Sequence, residues 1–306
     1  MAADQPIVFL AGPTGAGKTE AALTLAREFR GSVVNFDSRQ VYRDFPIITA
    51  QPSPEEQAQC PHLLYGFLGC EEKITAGAFV DMARSAIAEV AEQGRLPLLV
   101  GGTGLYMRSL LSGLAPIPPV DPAISEELDR RLAAEGLTAL HIELTRCDPE
   151  YAAKIHPNDK QRTLRALEVF LATGKPLSWW HERPVQRPPY RALVLGVQVD
   201  LQELAPRLEQ RIEVMLAAGA LDEARAALEK CPDPHAPGWS SIGCAELREH
   251  LLGDLTMDQA KELWLRNTRA YAKRQLTWFN KEQDMRWFPP GGLKAVLDVV
   301  REFLTT

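Results

Sequence analysis

Ile7-Val8-Phe9-Leu10-Ala11, then Gly12-Pro13-Thr14-Gly15-Ala16-Gly17-Lys18-Thr19, decides how this chain folds. The first five residues form an unbroken apolar run and read as a buried strand. From Lys18 to Arg30, Ala22, Leu25, Ala26 and Phe29 recur at helical spacing with charges between them, and Gly31 ends the pattern. Between strand and helix, Gly12 to Thr19 fits G-x-x-x-x-G-K-[ST] in the strand-turn-helix context the motif requires. The glycines let backbone N–H groups turn inward around phosphate oxygens, and the helix start adds a partial positive charge. Lys18 adds a full charge, and the Thr19 hydroxyl suits Mg2+. Gly12, Pro13, Thr14, Gly15, Ala16, Gly17, Lys18 and Thr19 are therefore the candidate phosphate cradle, and the motif does not say which phosphorylated compound it takes. A Gly-rich loop without a ligand is the weaker reading, because motif and context agree.

Outward from the cradle the rhythm persists. Ser32 to Phe36 reads as a second strand, Ala78 to Gln93 as a helix, and Leu96 to Val100 as a third strand running into Gly101, Gly102, Thr103 and Gly104. This alternation predicts an α/β fold with a P-loop NTPase-like parallel sheet, whose ligands lie at the strands' carboxyl ends. Pro116, Pro118, Pro119 and Pro122 mark a linker. Beyond it, Ile124 to Glu135 reads as a charged helix. Asp159 to Thr173 reads as another, with Asn158 as N-cap, Gly174 past its end and Pro176 as a stop. A proline-rich stretch, 184 to 189, closes the segment.

Leu193 to Val199 then reads as a strand returning to the sheet. Helices follow over 204–217, 220–230, 242–252, 257–279 and 292–304. The expected layout is a catalytic core of residues 1–115 and 191–306, helical at its carboxyl end, with a helical insertion domain at 116–190.

The chain has 306 residues, with 34 Lys and Arg against 40 Asp and Glu, for a net charge of -6. That balance excludes a uniformly basic polyanion binder but not a local basic face. One lies between Lys261 and Arg286, where seven cations face three anions. Trp264, Tyr271 and Trp278, spaced by seven within it, read as an inward stripe that leaves the cations for phosphate. The longest apolar runs fall well short of the roughly 18 residues a membrane span needs. No basic start with an apolar signal core is seen. A cytoplasmic location is expected, without membrane contact. Five separated cysteines with no C-x-x-C pair suggest neither a disulfide framework nor a zinc site.

Asp37 closes the second strand opposite the cradle. It reads either as a turn cap with Ser38 or as a catalytic carboxylate, and its position at a strand's carboxyl end favours the second. The aspartate that a typical ATPase carries after a later apolar strand is missing, since Leu96 to Val100 ends in glycines.

Five segments, in this order, resemble the bacterial tRNA dimethylallyltransferases. They are the cradle, Asp37-Ser38-Arg39-Gln40-Val41-Tyr42, Val100 to Tyr106, Asn158 to Glu168, and Thr268 to Phe279. The resemblance spans about residues 7 to 288, and only the first motif is widespread. It implies transfer of a dimethylallyl group from dimethylallyl diphosphate to the exocyclic amine of the adenosine beside the anticodon, with Mg2+ and loss of pyrophosphate. Asp37 would then be the general base, Thr19 the Mg2+ ligand, Thr103 a contact to nucleotide or diphosphate, and Arg165 a cation on the diphosphate. Asp37, Ser38, Arg39, Gln40 and Thr103 would touch tRNA, as would Gln161, Arg162, Thr163, Leu164 and Arg165, and Arg269, Lys273 and Arg274. The insertion would hold the anticodon stem and the base would be extruded from its stack; the chain is expected to act as a monomer. Asn280, Cys244 and Ser125 depart from the family pattern at positions implied to face RNA. Two other readings of the cradle are a small-molecule kinase using ATP and an NTP-driven RNA-binding switch.

Overall fold

In the computed structural model, residues 5–185 and 188–305 are described. Residues 186 and 187, inside the proline-rich stretch, lie outside them. The elements run β1 (Gln5–Ala11), α1 (Lys18–Glu28), β2 (Gly31–Asn35), α2 (Pro54–Gln57), β3 (His62–Leu63), α3 (Ala76–Glu92), β4 (Leu96–Gly101) and α4 (Gly104–Ser112). Next come α5 (Pro122–Cys147), α6 (Pro149–Ala152), α7 (Lys160–Thr173) and α8 (Leu177–His181). Then β5 (Tyr190–Val197), α9 (Leu201–Ala217), α10 (Ala220–Lys230), α11 (Cys244–Leu252), α12 (Met257–Phe279), β6 (Met285–Phe288) and α13 (Leu293–Thr305) complete the chain, with a 3-10 turn at Pro237–Ser240 before α11.

The chain divides into two compact units, Met1–Leu111 with Pro188–Thr306, and Ser112–Arg187. The first is built on one six-stranded sheet in the order β3-β2-β4-β1-β5-β6, with every pairing parallel. Parallel strands need crossover connections, which place helices on both faces and leave central strands apolar throughout. β2 and β4 are accordingly buried at every residue. Alternate side chains then feed two cores. Ile7, Phe9, Val34, Phe36 and Leu99 pack toward α3, α4 and the helices α10 to α12, while Val8, Leu10, Val33, Leu98 and Leu195 pack toward α1, the start of α9 and α13. β1 lies between β4 and β5, so the loop leaving it sits at mid-sheet.

The second unit has its own small core of Leu128, Leu140, Leu144, Ala166, Leu167, Val169 and Leu177. Its α5 continues well past the predicted end at Glu135. Gly136, at φ 79 and ψ 162, breaks the helical geometry for one residue and the chain then resumes its helix. In α7 the N-cap is Asp159 rather than Asn158: the Asp159 carboxylate accepts from the Arg162 N–H at 3.0 Å. Gly174 ends that helix in the left-handed region, as predicted. The strands that sequence reading passed over, β3 and β6, are two and four residues long at the sheet's edges.

Candidate active site

The cradle joins the end of β1 to α1. Gly17 caps α1 at φ 88, a left-handed conformation natural to glycine, and offers no side-chain acceptor to the first-turn N–H groups. A Cβ at Gly17 would meet nothing within 4 Å, so the loop faces open space there. Lys18 folds back over its own loop, its Nζ donating to Gly12 O at 2.9 Å and Pro13 O at 2.8 Å. Burial lowers its pKa to about 8, Asp37 opposes the shift, and Arg211 adds to it. The Thr14 N–H, one of the amides expected to face phosphate, is already engaged: it donates to Gln275 Oε1 at 3.0 Å.

Asp37 stands just past β2. The fully buried Asn35 fixes its backbone, accepting the Asp37 N–H at 2.7 Å and donating to Asp37 O at 3.1 Å. Asp37 Oδ1 accepts the Arg39 N–H at 2.9 Å, and among the described residues Oδ2 has no hydrogen-bond partner. The turn-cap reading and the catalytic reading thus use different oxygens of the same carboxylate. Thr103 ties the glycine loop to this turn, accepting the Ser38 N–H at 2.9 Å and donating to Ser38 Oγ at 3.2 Å.

The glycines at the end of β4 also have a packing cause. A Cβ on Gly101 would lie 2.6 Å from the Phe36 carbonyl carbon, and one on Gly102 would collide with the Gln275 amide and approach Asp37 Oδ2. The close approach to the β2 end leaves no room at residue 101 for the aspartate of a typical ATPase.

These groups surround a cavity of about 560 Å3. Thr14 to Thr19 and Asp37 form its polar floor, and Ile48, Ile212, Met215 and Trp264 form an apolar wall. Arg39 lines it while donating to Ser240 Oγ at 2.7 Å, and Gln40 holds the neighbouring loop through Thr49 O at 3.1 Å and Ala50 O at 2.5 Å.

Sequence reading missed Arg207 and Arg211 of α9, which also line the cavity. Burial lowers the Arg211 pKa against the pull of Asp37, and no described residue forms a hydrogen bond or ion pair with its guanidinium. The signal was available: Arg207 and Arg211 are one helical turn apart, flanking the buried Leu204, Leu208 and Ile212. The aromatic stripe also needs correcting. Trp264 is buried as expected, but Tyr271 is half-buried and lines the cavity. Burial and the nearby Asp37 raise its pKa. Trp278 is half-buried too, against Gly104.

Arg269, Lys273 and Arg274 are exposed on α12; Arg274 lies over the Tyr271 ring at 5.7 Å. In the second unit, Gln161, Arg162 and Arg165 are exposed along α7, with Arg162 ion-paired to Asp159 at 3.5 Å and Arg165 to Glu168 at 3.1 Å. Thr163 and Leu164 turn inward instead. Thr163 is fully buried with His141 Nδ1 3.5 Å from its hydroxyl, and Leu164 packs on that unit's core, so their side chains serve packing. Ser125, where the family pattern implies an arginine, donates to Glu168 Oε1 at 2.9 Å.

Among the described residues no group of three or more His, Cys, Asp or Glu could hold a metal. The exposed Thr19 hydroxyl beside the cradle suits an ion held mainly by phosphate oxygens and water, which is the habit of Mg2+ rather than of zinc.

The IPP transferase family model matches residues 40–282. A tRNA dimethylallyltransferase of Nitratidesulfovibrio vulgaris is 58% identical over 97% of this chain and 93% of its own length. One of Oleidesulfovibrio alaskensis is 59% identical over 95% of each. Among solved structures, the full-length tRNA isopentenylpyrophosphate transferase of Bacillus halodurans superposes with a TM-score of 0.73 at 32% identity, covering 99% of this chain and 97% of that one. A eukaryotic dimethylallyltransferase acting on tRNA superposes at 0.79 with 30% identity, covering 94% of this chain and 74% of that one. The family match and these relatives together show that the chain belongs to the IPP transferase family of tRNA dimethylallyltransferases.

Proposed function

We propose that this protein transfers a dimethylallyl group from dimethylallyl diphosphate to the exocyclic amine of the adenosine beside the anticodon of tRNA, releasing pyrophosphate. The observation that carries this is the placing of one unpartnered carboxylate oxygen, Asp37 Oδ2, in the same cavity as a diphosphate cradle and an apolar wall. The adenine amine is a weak nucleophile because its lone pair is shared with the ring. As nitrogen bonds the allylic carbon, the carbon–oxygen bond breaks, pyrophosphate leaves with the electron pair, and Asp37 takes the amine proton. Lys18, Arg207 and Arg211 meet the charge gathering on the leaving group, so they bind the transition state more tightly than the substrate. Mg2+ on the Thr19 hydroxyl and the phosphate oxygens would neutralise more of that charge. Ile48, Ile212, Met215 and Trp264 suit the five-carbon chain and exclude water from the reacting carbon.

Arg269, Lys273 and Arg274 form the basic face offered to RNA by the first unit, and Gln161, Arg162 and Arg165 that of the second. The first unit supplies the residues that line the cavity, and the chain is proposed to act as a monomer. A competition experiment tests the donor. With Mg2+ present, pyrophosphate and dimethylallyl diphosphate should displace each other from one site, and Arg211→Gln should weaken both. Displacement of neither, with tight ATP binding instead, would reject the reading.

A further inference from the structure

Gln275 is 4% exposed near the carboxyl end of α12, where a buried amide must find partners for both of its ends. It finds them on two different loops of the site. Its Oε1 accepts the Thr14 N–H of the cradle at 3.0 Å, and its Nε2 donates to Gly102 O after β4 at 3.0 Å. The same amide sits where a Gly102 side chain would be, beside Asp37 Oδ2. Four and seven residues before it, Tyr271 and Thr268 line the cavity, and its neighbour Arg274 both lines the cavity and stands in the basic face. One side chain therefore joins the helix offered to RNA with the diphosphate cradle and the loop beside the base.

We infer that Gln275 is a positioning residue that couples the seating of RNA along α12 to the shape of the cradle, an inference that rests on the proposed function. RNA that settles α12 holds the Gln275 amide in place. The amide in turn fixes the Thr14 peptide and so the orientation of the loop's remaining N–H groups. Linkage requires the effect to be mutual: bound pyrophosphate tightens RNA by the same factor.

The test is a binding cycle on the full chain with Mg2+, inorganic pyrophosphate and an unmodified anticodon stem-loop. In the unaltered protein the stem-loop should tighten pyrophosphate about tenfold, equivalent to about 1.4 kcal/mol. Gln275→Met keeps the side chain's length and loses both hydrogen bonds. It should bind the stem-loop alone within about twofold of normal while the coupling factor falls to about one. Gln275→Glu retains an acceptor for Thr14 but no donor for Gly102 when ionised, and should keep part of the coupling; it serves as the second variant should Gln275→Met fail to fold. A merely structural role would weaken pyrophosphate equally with and without RNA, and an unchanged coupling factor in either folded variant overturns the inference. So does a coupling factor of one in the unaltered protein. Failure of that protein to bind pyrophosphate or stem-loop at all would instead remove the functional reading beneath it.

Discussion

Asp37 and Lys18 show how differently two charged groups can be set within one cavity. Asp37 divides its carboxylate between a structural hydrogen bond to Arg39 and an unpartnered oxygen, so Asp37→Asn should keep the turn and lose the base. Turnover should fall by about 10²- to 10⁴-fold with stem-loop binding unchanged, as measured by single-turnover kinetics beside equilibrium binding. Lys18 has a pKa of about 8 against an ordinary 10.5. Between those values the unfolded chain holds the proton that the folded one has released, so the Lys18 contribution to stability rises with pH across that window. Ligand binding runs the other way. Pyrophosphate needs the ammonium, so its affinity should fall as pH climbs through about 8, and Lys18→Arg, which stays charged, should flatten the fall; calorimetric titration over that range checks both. At this scale the strand–loop–helix context of the Gly12 to Thr19 motif was legible in the sequence, and β1 and α1 flank it as expected. Arg211 and Gln275 were not given their roles, because a role made by long-range approach leaves no local pattern: Gln275 and Thr14 are 261 residues apart.

The elements that carry the site are short loops pressed together by the sheet and α12. β4 ends against β2 so closely that the Gly101 hydrogen faces backbone, which cannot yield as a flexible side chain would. Gly101→Ala should destabilise the fold by about 1–3 kcal/mol, read by urea denaturation, and reduce turnover as Asp37 is displaced. Long elements were legible because burial imposes periodicity on them. α12 was expected at Met257 to Phe279 and runs over those residues, opened by a Thr256–Gln259 capping box. β6 escaped notice because four residues with one buried position look like any charged-aromatic stretch. Gly136 misled because a glycine after a charged helix usually stops it, whereas α5 only kinks there.

For the whole molecule, the difficulty is an acidic chain that must hold a polyanion. Seven of its cations lie between Lys261 and Arg286, and Arg269 and Lys273 among them are exposed without a partner among the described residues. Binding of the stem-loop should weaken steadily with salt. Arg269→Gln should shallow the slope of log K against log salt by about 0.7–0.9, seen by fluorescence anisotropy, without changing pyrophosphate affinity. The division into sheet-based and helical units was legible from the prolines after residue 115 and the return of an apolar run at Leu193, because each unit must close its own core.

On the function proposed here, the cradle holds the diphosphate of an allylic donor rather than a nucleoside triphosphate. Mass spectrometry of nucleosides from an unmodified anticodon stem-loop, incubated with the protein, Mg2+ and dimethylallyl diphosphate, tests it most directly. One adenosine should carry an added five-carbon group, with one pyrophosphate released per transfer and nothing formed by Asp37→Asn on the same timescale. An unaltered RNA, together with steady hydrolysis of ATP by the same protein, would contradict it.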